Sequence, residues 1–484
     1  MRCMRSGGRW LPTLAACLLT GVAFADDSGG TPPAAAPNPA PSKAAPKTIW
    51  EQDTLLGDMG GFRSKAADAG VQLGLTYTLD LFGNPTGGIR RSFISEGVLA
   101  PTLDIDLGKF TKVDALSGTS FHASMFQVAG RSISLHNTGA LYLATNIEQV
   151  ATTRIFEAYF EQKLFGDQVT VRAGQMAIDS EFLVSPTAAT FISNTFAFPT
   201  WMAADLPNGG AATPLAAPGA RVKYAPTDRL SLMLGVYSAD PAGRGNLLLT
   251  PPSNNPEYKN RYGTTFNLNY GTLYMAEAGY ADAKAALPFA YKLGAWFVGG
   301  GRFFNQRFDT NGVSLANVTL TNGVAKRYSN DWGVYGVADQ TLWAPGGEDP
   351  RKIAAFVRAG FSPNDRNLID GYVDGGVTFT GFVPSRSSDV IGVAATYSKI
   401  SSNASSLDRD TVLFGTNPPG FPIRDYEFVG EATYQLVLAP WLTVQFDAQH
   451  IVHPGGHVLA AQGSRTGLLI KDETILGVRT QVKF

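Results

Sequence analysis

Charged side chains fall on one parity of segments whose other parity is apolar: Glu157 and Glu161, Arg172, Arg221 and Lys223, Glu277, Lys292, Arg358, Glu427 and Glu431, Asp447, and Arg479. In an extended chain the two parities face opposite ways, so these groups share a polar face. Arg90, Arg91, Arg131 and Arg154 stand where such segments meet long connections. A guanidinium fork donates two parallel hydrogen bonds to neighbouring oxygens, which suits recognition of a hydroxylated solute rather than bond cleavage. Trp296 shares parity with Lys292, and Tyr335 with Asp331 and Asp339, so both are candidate stacking faces. The expected constriction set is Arg90, Arg91, Arg131, Arg154, Arg172, Arg221, Glu157, Glu161, Trp296 and Tyr335. The plainer alternative is that these charges hydrate a wet interior and pair with one another. Both signs occur, which argues against strong ion selectivity.

No arrangement suggests catalysis. His122 and His136 lack evident nucleophile or carboxylate partners, and no glycine-rich phosphate loop precedes a helix. His450-Ile-Val-His453-Pro-Gly-Gly-His457 is the one metal-like cluster, but Pro454 and the two glycines make it a strand end and turn, so no metal and no cofactor is expected.

The elements that must position these groups are strands. Val71, Leu73, Leu75, Tyr77, Leu79 and Leu81 alternate with Gln72, Gly74, Thr76, Thr78 and Asp80. Tyr426 to Leu438, Leu442 to Ala448 and Leu476 to Phe484 repeat the pattern. Alternating segments of about ten residues, apolar outward and polar inward, are the pattern of a transmembrane β-barrel with a wet lumen. A soluble sandwich is the competing fold. The final amphipathic strand, ending on Phe484, is expected to close the barrel and to be read by the barrel-assembly machinery.

Short turns are expected at Phe165-Gly-Asp167, Pro226-Thr-Asp228, 345–350 and Ala439-Pro440, and long loops at 82–96, 131–152, 177–219, 301–330, 399–425 and 451–472. Taking 261–270 as part of one loop, 239–271, restores a strict short–long alternation and predicts sixteen strands, or eighteen if loop 177–219 or 301–330 hides a hairpin. About sixteen strands enclose an aqueous channel, whereas about eight are filled by side chains. Loop 177–219 carries Phe182, Phe191, Phe196, Phe198 and Trp201 and is expected to fold into the barrel.

Before the barrel, residues 1–25 read as a signal peptide: Arg2, Arg5 and Arg9 precede an apolar run and Ala23-Phe24-Ala25. Residues 26–47 read as a Pro/Ala-rich periplasmic linker, 48–70 as a short amphipathic helical segment, and 71–484 as the barrel. Both cysteines, Cys3 and Cys17, fall in the signal, which leaves no disulfide framework. A net charge of −1 gives no sign of nucleic-acid binding.

From the first strand on, the chain resembles the carbohydrate-selective porin family of Gram-negative outer membranes, often called OprB. The resemblance is carried by Gly70-Val-Gln-Leu-Gly-Leu-Thr-Tyr77, Gly83-Asn-Pro-Thr-Gly-Gly-Ile-Arg-Arg91, Ala129-Gly-Arg131, Arg154-Ile-Phe-Glu-Ala-Tyr-Phe-Glu-Gln162 and Glu181-Phe-Leu-Val-Ser-Pro-Thr-Ala188. Asp339-Gln-Thr-Leu-Trp343, Asp365-Arg-Asn-Leu-Ile-Asp370 and His453-Pro-Gly-Gly456 extend it. The even strand number predicts that both termini are periplasmic, and the resemblance implies a monomeric all-β barrel passing neutral mono- or oligosaccharides such as glucose. Its surroundings would be outer-membrane lipid and lipopolysaccharide. The competing functions are a general or weakly ion-selective porin and, from another class, a barrel enzyme or adhesin using the long loops.

Overall fold

The computed structural model describes residues 48–243, 255–347, 349–463 and 465–484. The signal and linker expected over 1–47 lie outside the described residues, as does 244–254 of the loop 239–271. The alternating segments become sixteen strands. They are β1 Val71–Thr86, β2 Phe93–Asp106, β3 Thr119–Gly130, β4 Thr153–Leu164, β5 Val169–Met176, β6 Ala217–Tyr224, β7 Leu230–Ser238 and β8 Thr272–Asp282. The series continues with β9 Phe289–Asp309, β10 Ala325–Trp343, β11 Lys352–Phe361, β12 Ile369–Thr380, β13 Val390–Ile400, β14 Tyr426–Ala439, β15 Leu442–Val452 and β16 Glu473–Lys483. Each pairs antiparallel with its sequence neighbour, and β16 returns to β1 with Tyr77 opposite Val482. A closed sheet leaves no row of unpaired amides to face lipid.

The faces are inverted relative to a water-soluble domain. Leu232, Leu234 and Val236 of β7, Leu293 of β9 and Val393 of β13 are exposed on the outside. Asp80, Glu157, Glu277, Arg358, Asp374, Glu431 and Arg479 are buried within. Period-2 alternation carries both sets at once, and among the described residues no helix is long and apolar enough to cross a membrane.

Loop 239–271 contains no strand over 261–270. Two boundaries differ from expectation. β1 and β2 run on to Thr86 and back from Phe93, and β9 and β10 continue through Asp309 and from Ala325, so the loops expected at 82–96 and 301–330 are partly strand. β9 has 21 residues and β10 has 19, about twice the 9–11 needed to cross the bilayer, so this hairpin keeps its ladder beyond the hydrocarbon.

Segment 48–70 sits at the end bearing the short turns. Trp50 stacks on Trp441 at 5.7 Å, and Trp441 Nε1 donates to Ile49 O at 2.7 Å. Leu55 N donates to Lys483 O at 2.8 Å. Gly60 and Gly61, at φ +68° and +91°, confine regular helix to Phe62–Asp68.

The β1–β16 seam carries a buried ion pair. Arg479 Nε donates to Asp80 Oδ1 at 2.8 Å and Nη2 to Oδ2 at 2.7 Å. Asp80→Ala strands the guanidinium, which should cost about 3–5 kcal/mol. The expected result is a lower urea midpoint for unfolding of the refolded barrel; an unchanged midpoint would contradict the role assigned to this pair.

Candidate functional site

The connection between β5 and β6, residues 177–216, turns into the barrel. Its apolar residues drive it there: Ile178, Phe182, Phe196, Phe198, Trp201 and Met202 are buried to within 1%. Most pack on inward side chains of the wall, among them Tyr237, Leu273, Met275, Val298 and Tyr372, while Phe196 packs with Phe356 and Ala394. Trp201 seats against Trp296, with ring centroids 6.1 Å apart. The neighbouring strands β10 and β11 need glycine here: a Cβ on Gly360 would lie 2.3 Å from the Trp201 ring, and one on Gly333 would lie 2.4 Å from Trp296 Nε1.

A loop in the lumen brings amide groups that must be paired. Inward carboxylates supply acceptors around the wall. Glu157 of β4 accepts from Ala177 N at 2.9 Å, and Glu277 of β8 from Leu183 N at 2.9 Å. Asp339 of β10 accepts from Thr187 N at 2.9 Å, Thr187 Oγ1 at 2.8 Å and Ser185 Oγ at 2.5 Å. Glu431 of β14 accepts from Ile192 N at 2.7 Å and Ser193 N at 2.9 Å. Arg358 of β11 serves the opposite need, donating to Leu183 O at 3.3 Å and Thr195 O at 3.0 Å while paired with Asp374.

The connection 131–152 is held likewise. Glu427 accepts from Leu141 N at 2.8 Å and Glu96 from Gln149 N at 2.8 Å. The two inward loops meet where Asn146 N donates to Ile192 O at 2.9 Å and Asn194 N to Leu143 O at 3.1 Å.

One wall sector keeps charged groups partly open. Glu161, Arg172 and Arg221 are register neighbours across β4, β5 and β6. Adjacent guanidiniums would repel, but two carboxylates interleave with them. Arg172 pairs with Glu161, and its Nη1 lies 3.2 Å from Glu181 of the inward loop. Arg221 Nε donates to Glu181 Oε2 at 2.9 Å, its Nη2 to Glu161 Oε2 at 3.3 Å, and its Nη1 to Thr170 Oγ1 at 2.7 Å. Arg172, 23% exposed, also lies over the Tyr159 ring at 4.7 Å. Tyr159 stacks on His122 at 5.0 Å, and His122 Nδ1 lies 2.7 Å from Asp104 Oδ1. Next to these is a cavity of about 100 Å³, lined by Thr76, Thr78, Ser124 and Glu157 and, over most of its wall, by apolar groups of Val98, Phe126, Ile147 and Phe156. Donors and acceptors gathered on one side suit a polyhydroxylated solute without net charge.

The expected set therefore divides. Arg172, Arg221 and Glu161 come together, and Glu157 lies close by, bonded to the loop amide of Ala177. Arg90, Arg91 and Arg131 are exposed at loop ends and do not join this cluster. Arg154 is fully buried and ties loops together: it contacts Glu257 at 3.2 Å, Arg261 O at 3.2 Å and Pro214 O at 3.5 Å. Burial pushes the Glu257 carboxyl up, and Arg154 opposes that. Trp296 is 1% exposed beneath the loop, and Tyr335 donates to Glu277 at 2.9 Å, so neither presents a free stacking face. Sequence reasoning missed Glu181, which lies in an aperiodic loop, and Tyr159, whose parity with Glu157 and Glu161 was available.

The model of a family described as carbohydrate-selective porin, OprB family, matches residues 90–484. Porin B of Pseudomonas aeruginosa is 22% identical over 432 residues, covering 85% of this chain and 88% of that protein. The high-pH structure of Pseudomonas putida OprB superposes with a TM-score of 0.77 at 22% identity, covering 90% of this chain and 100% of that one. The low-pH structure of that protein gives 0.53 at 17% identity, covering 90% and 99%. At these identities the structural likeness establishes the fold.

Removing one anchor should loosen the inward loop. Asp339→Ala leaves three loop donors without an acceptor, at about 1–3 kcal/mol for each group that stays buried and unpaired. The expected outcome in planar bilayers is larger and noisier single-channel current than wild type. A quiet channel of wild-type conductance would show that this anchor does not hold the aperture.

Proposed function

This chain belongs to the carbohydrate-selective porin, OprB family, and on that premise we propose that it passes small neutral sugars, glucose among them, by passive diffusion. The observation that carries this reading is the sector formed by Glu161, Arg172, Arg221 and Glu181. Its two cations and two anions are bonded to each other, so the local field is small for an ion. The donors and acceptors still serve sugar hydroxyls.

The family places the chain in the Gram-negative outer membrane. We further propose that the end with the short turns and the Trp50–Trp441 stack faces the periplasm, with both barrel termini there. Strand β16 would be the segment read by the assembly machinery, and exposed Arg90 and Arg91 would meet lipopolysaccharide phosphates. The barrel would act as a monomer, without enzymatic activity. The signal peptide, the linker and the docked 48–70 segment are proposed as the preceding parts of the chain.

The test is glucose block of ion current. Arg172→Ala removes the more open guanidinium and leaves Glu161 and Glu181 facing the lumen. Loss of a hydrogen bond of about 1–2 kcal/mol should weaken glucose block about 5- to 30-fold, with reversal potentials shifting toward cations. Arg172→Lys should preserve the reversal potential better than the block, because it keeps the charge and loses the fork. If Arg172→Ala retains wild-type block while Arg90→Ala, Arg91→Ala or Arg131→Ala loses it, the constriction lies at the loop ends. Absence of block by glucose, sucrose and a polyol in the wild type would favour a general porin.

A further inference from the structure

The long connection 453–472 leaves β15 through the turn His453-Pro-Gly-Gly-His457. His453, Gly455, Gly456 and His457 all adopt left-handed backbone, at φ +55°, +73°, +79° and +75°. Glycine takes this region freely, whereas histidine is strained there. The turn is nevertheless fixed from three sides. His453 N donates to Asp472 Oδ1 at 3.0 Å, Gly455 N to Glu427 Oε2 at 2.7 Å, and Asp425 N to Gly456 O at 3.2 Å. A Cβ on Gly456 would lie 2.8 Å from Ile400. The backbone therefore delivers two imidazoles to one place.

The side chains complete the arrangement. Asp425, His453 and His457 each offer a ligand atom, all within 4.8 Å of one another. His453 and His457 lie face to face, with centroids 4.3 Å apart and planes at 11°. Tyr426 covers the other face of His453 at 4.6 Å. Asp425 Oδ1 lies 2.9 Å from His453 Nδ1 and accepts from Tyr426 N at 2.6 Å. Asp425 Oδ2 and the His457 ring make no hydrogen bond with another described residue. His450, the third histidine of the motif, lies on the outward face against Thr474 Oγ1 at 3.1 Å and takes no part.

We propose that Asp425, His453 and His457 form a binding site for a borderline divalent transition-metal ion of the Zn²⁺ class. Two imidazole nitrogens and one carboxylate oxygen are the donor set such ions take, and three protein ligands leave a position for water. Lone pairs of parallel rings do not converge, so binding turns the His457 ring out of the stack. The site braces the channel interior as well: Glu427, which receives Gly455 N, also receives Leu141 N of the inward loop 131–152. Metal binding would thus fasten an external loop to the groups that hold a lumen loop.

The experiment is Zn²⁺ binding by isothermal titration and equilibrium dialysis to the full refolded barrel, made without a polyhistidine tag. One saturable Zn²⁺ per chain is expected. His453→Asn and His457→Asn, which keep a residue tolerant of left-handed backbone, should each weaken binding at least about tenfold. Asp425→Asn should weaken it as well, and His450→Asn should leave it unchanged. Heat-modifiable migration confirms that each variant is folded, and Zn²⁺ should raise the unfolding temperature of the wild type but not of His457→Asn. No saturable site in the wild type, an unchanged affinity in His457→Asn, or an equal loss in His450→Asn would each overturn the proposal.

Discussion

Backbone amides carried into the barrel must find acceptors there, and the rest of the interior is organised around that demand. An unpaired buried N–H costs about as much as a lost hydrogen bond. The wall answers with carboxylates from β4, β8, β10 and β14, aimed at Ala177, Leu183, Thr187, Ile192 and Ser193. The reverse need, acceptors without donors, is met by Arg358 and by Gln445, whose Nε2 donates to Thr190 O at 2.8 Å. Polar pairing fixes the path of the loop, and apolar packing of Trp201, Phe182 and Phe196 supplies the drive inward.

This division of labour decides what remains for solute. Most inward charges are committed to loop backbone or to buried pairs, so they cannot act as a charged lining. The sector around Arg172 differs because Arg172 itself stays partly open beside its carboxylate partners. A carbohydrate-selective channel needs this combination: enough donors and acceptors to exchange with sugar hydroxyls, and too little net charge to hold an ion. Tyr159, stacked between His122 and Arg172, helps to position the Arg172 guanidinium.

Much of this was legible in the sequence. Period-2 alternation placed Glu277, Arg358, Glu427, Glu431, Asp447 and Arg479 on the inner face, where they are buried. The alternation of short and long connections put 261–270 in a loop and gave the strand number of sixteen. Parity alone could not say which inward charge meets a loop and which meets water, because loop paths have no period. Hence Trp296 looked like a stacking face and is instead covered by Trp201. Arg154 looked like an eyelet residue because it ends a loop, yet Glu257, distant in sequence, buries it. The ladder of β9 and β10 outruns the bilayer because strand pairing there does not depend on lipid contact.

The most direct test of the account is thiol blockade at the inward loop. Cys3 and Cys17 are the only cysteines, so a single Ser180→Cys, beside Glu181, gives a defined target in the expected mature chain. A bulky cationic methanethiosulfonate applied during planar-bilayer recording should lower single-channel current in discrete steps and weaken glucose block. Complete modification, verified by mass, with unchanged current and unchanged block would show that loop 177–216 does not bound the conducting path.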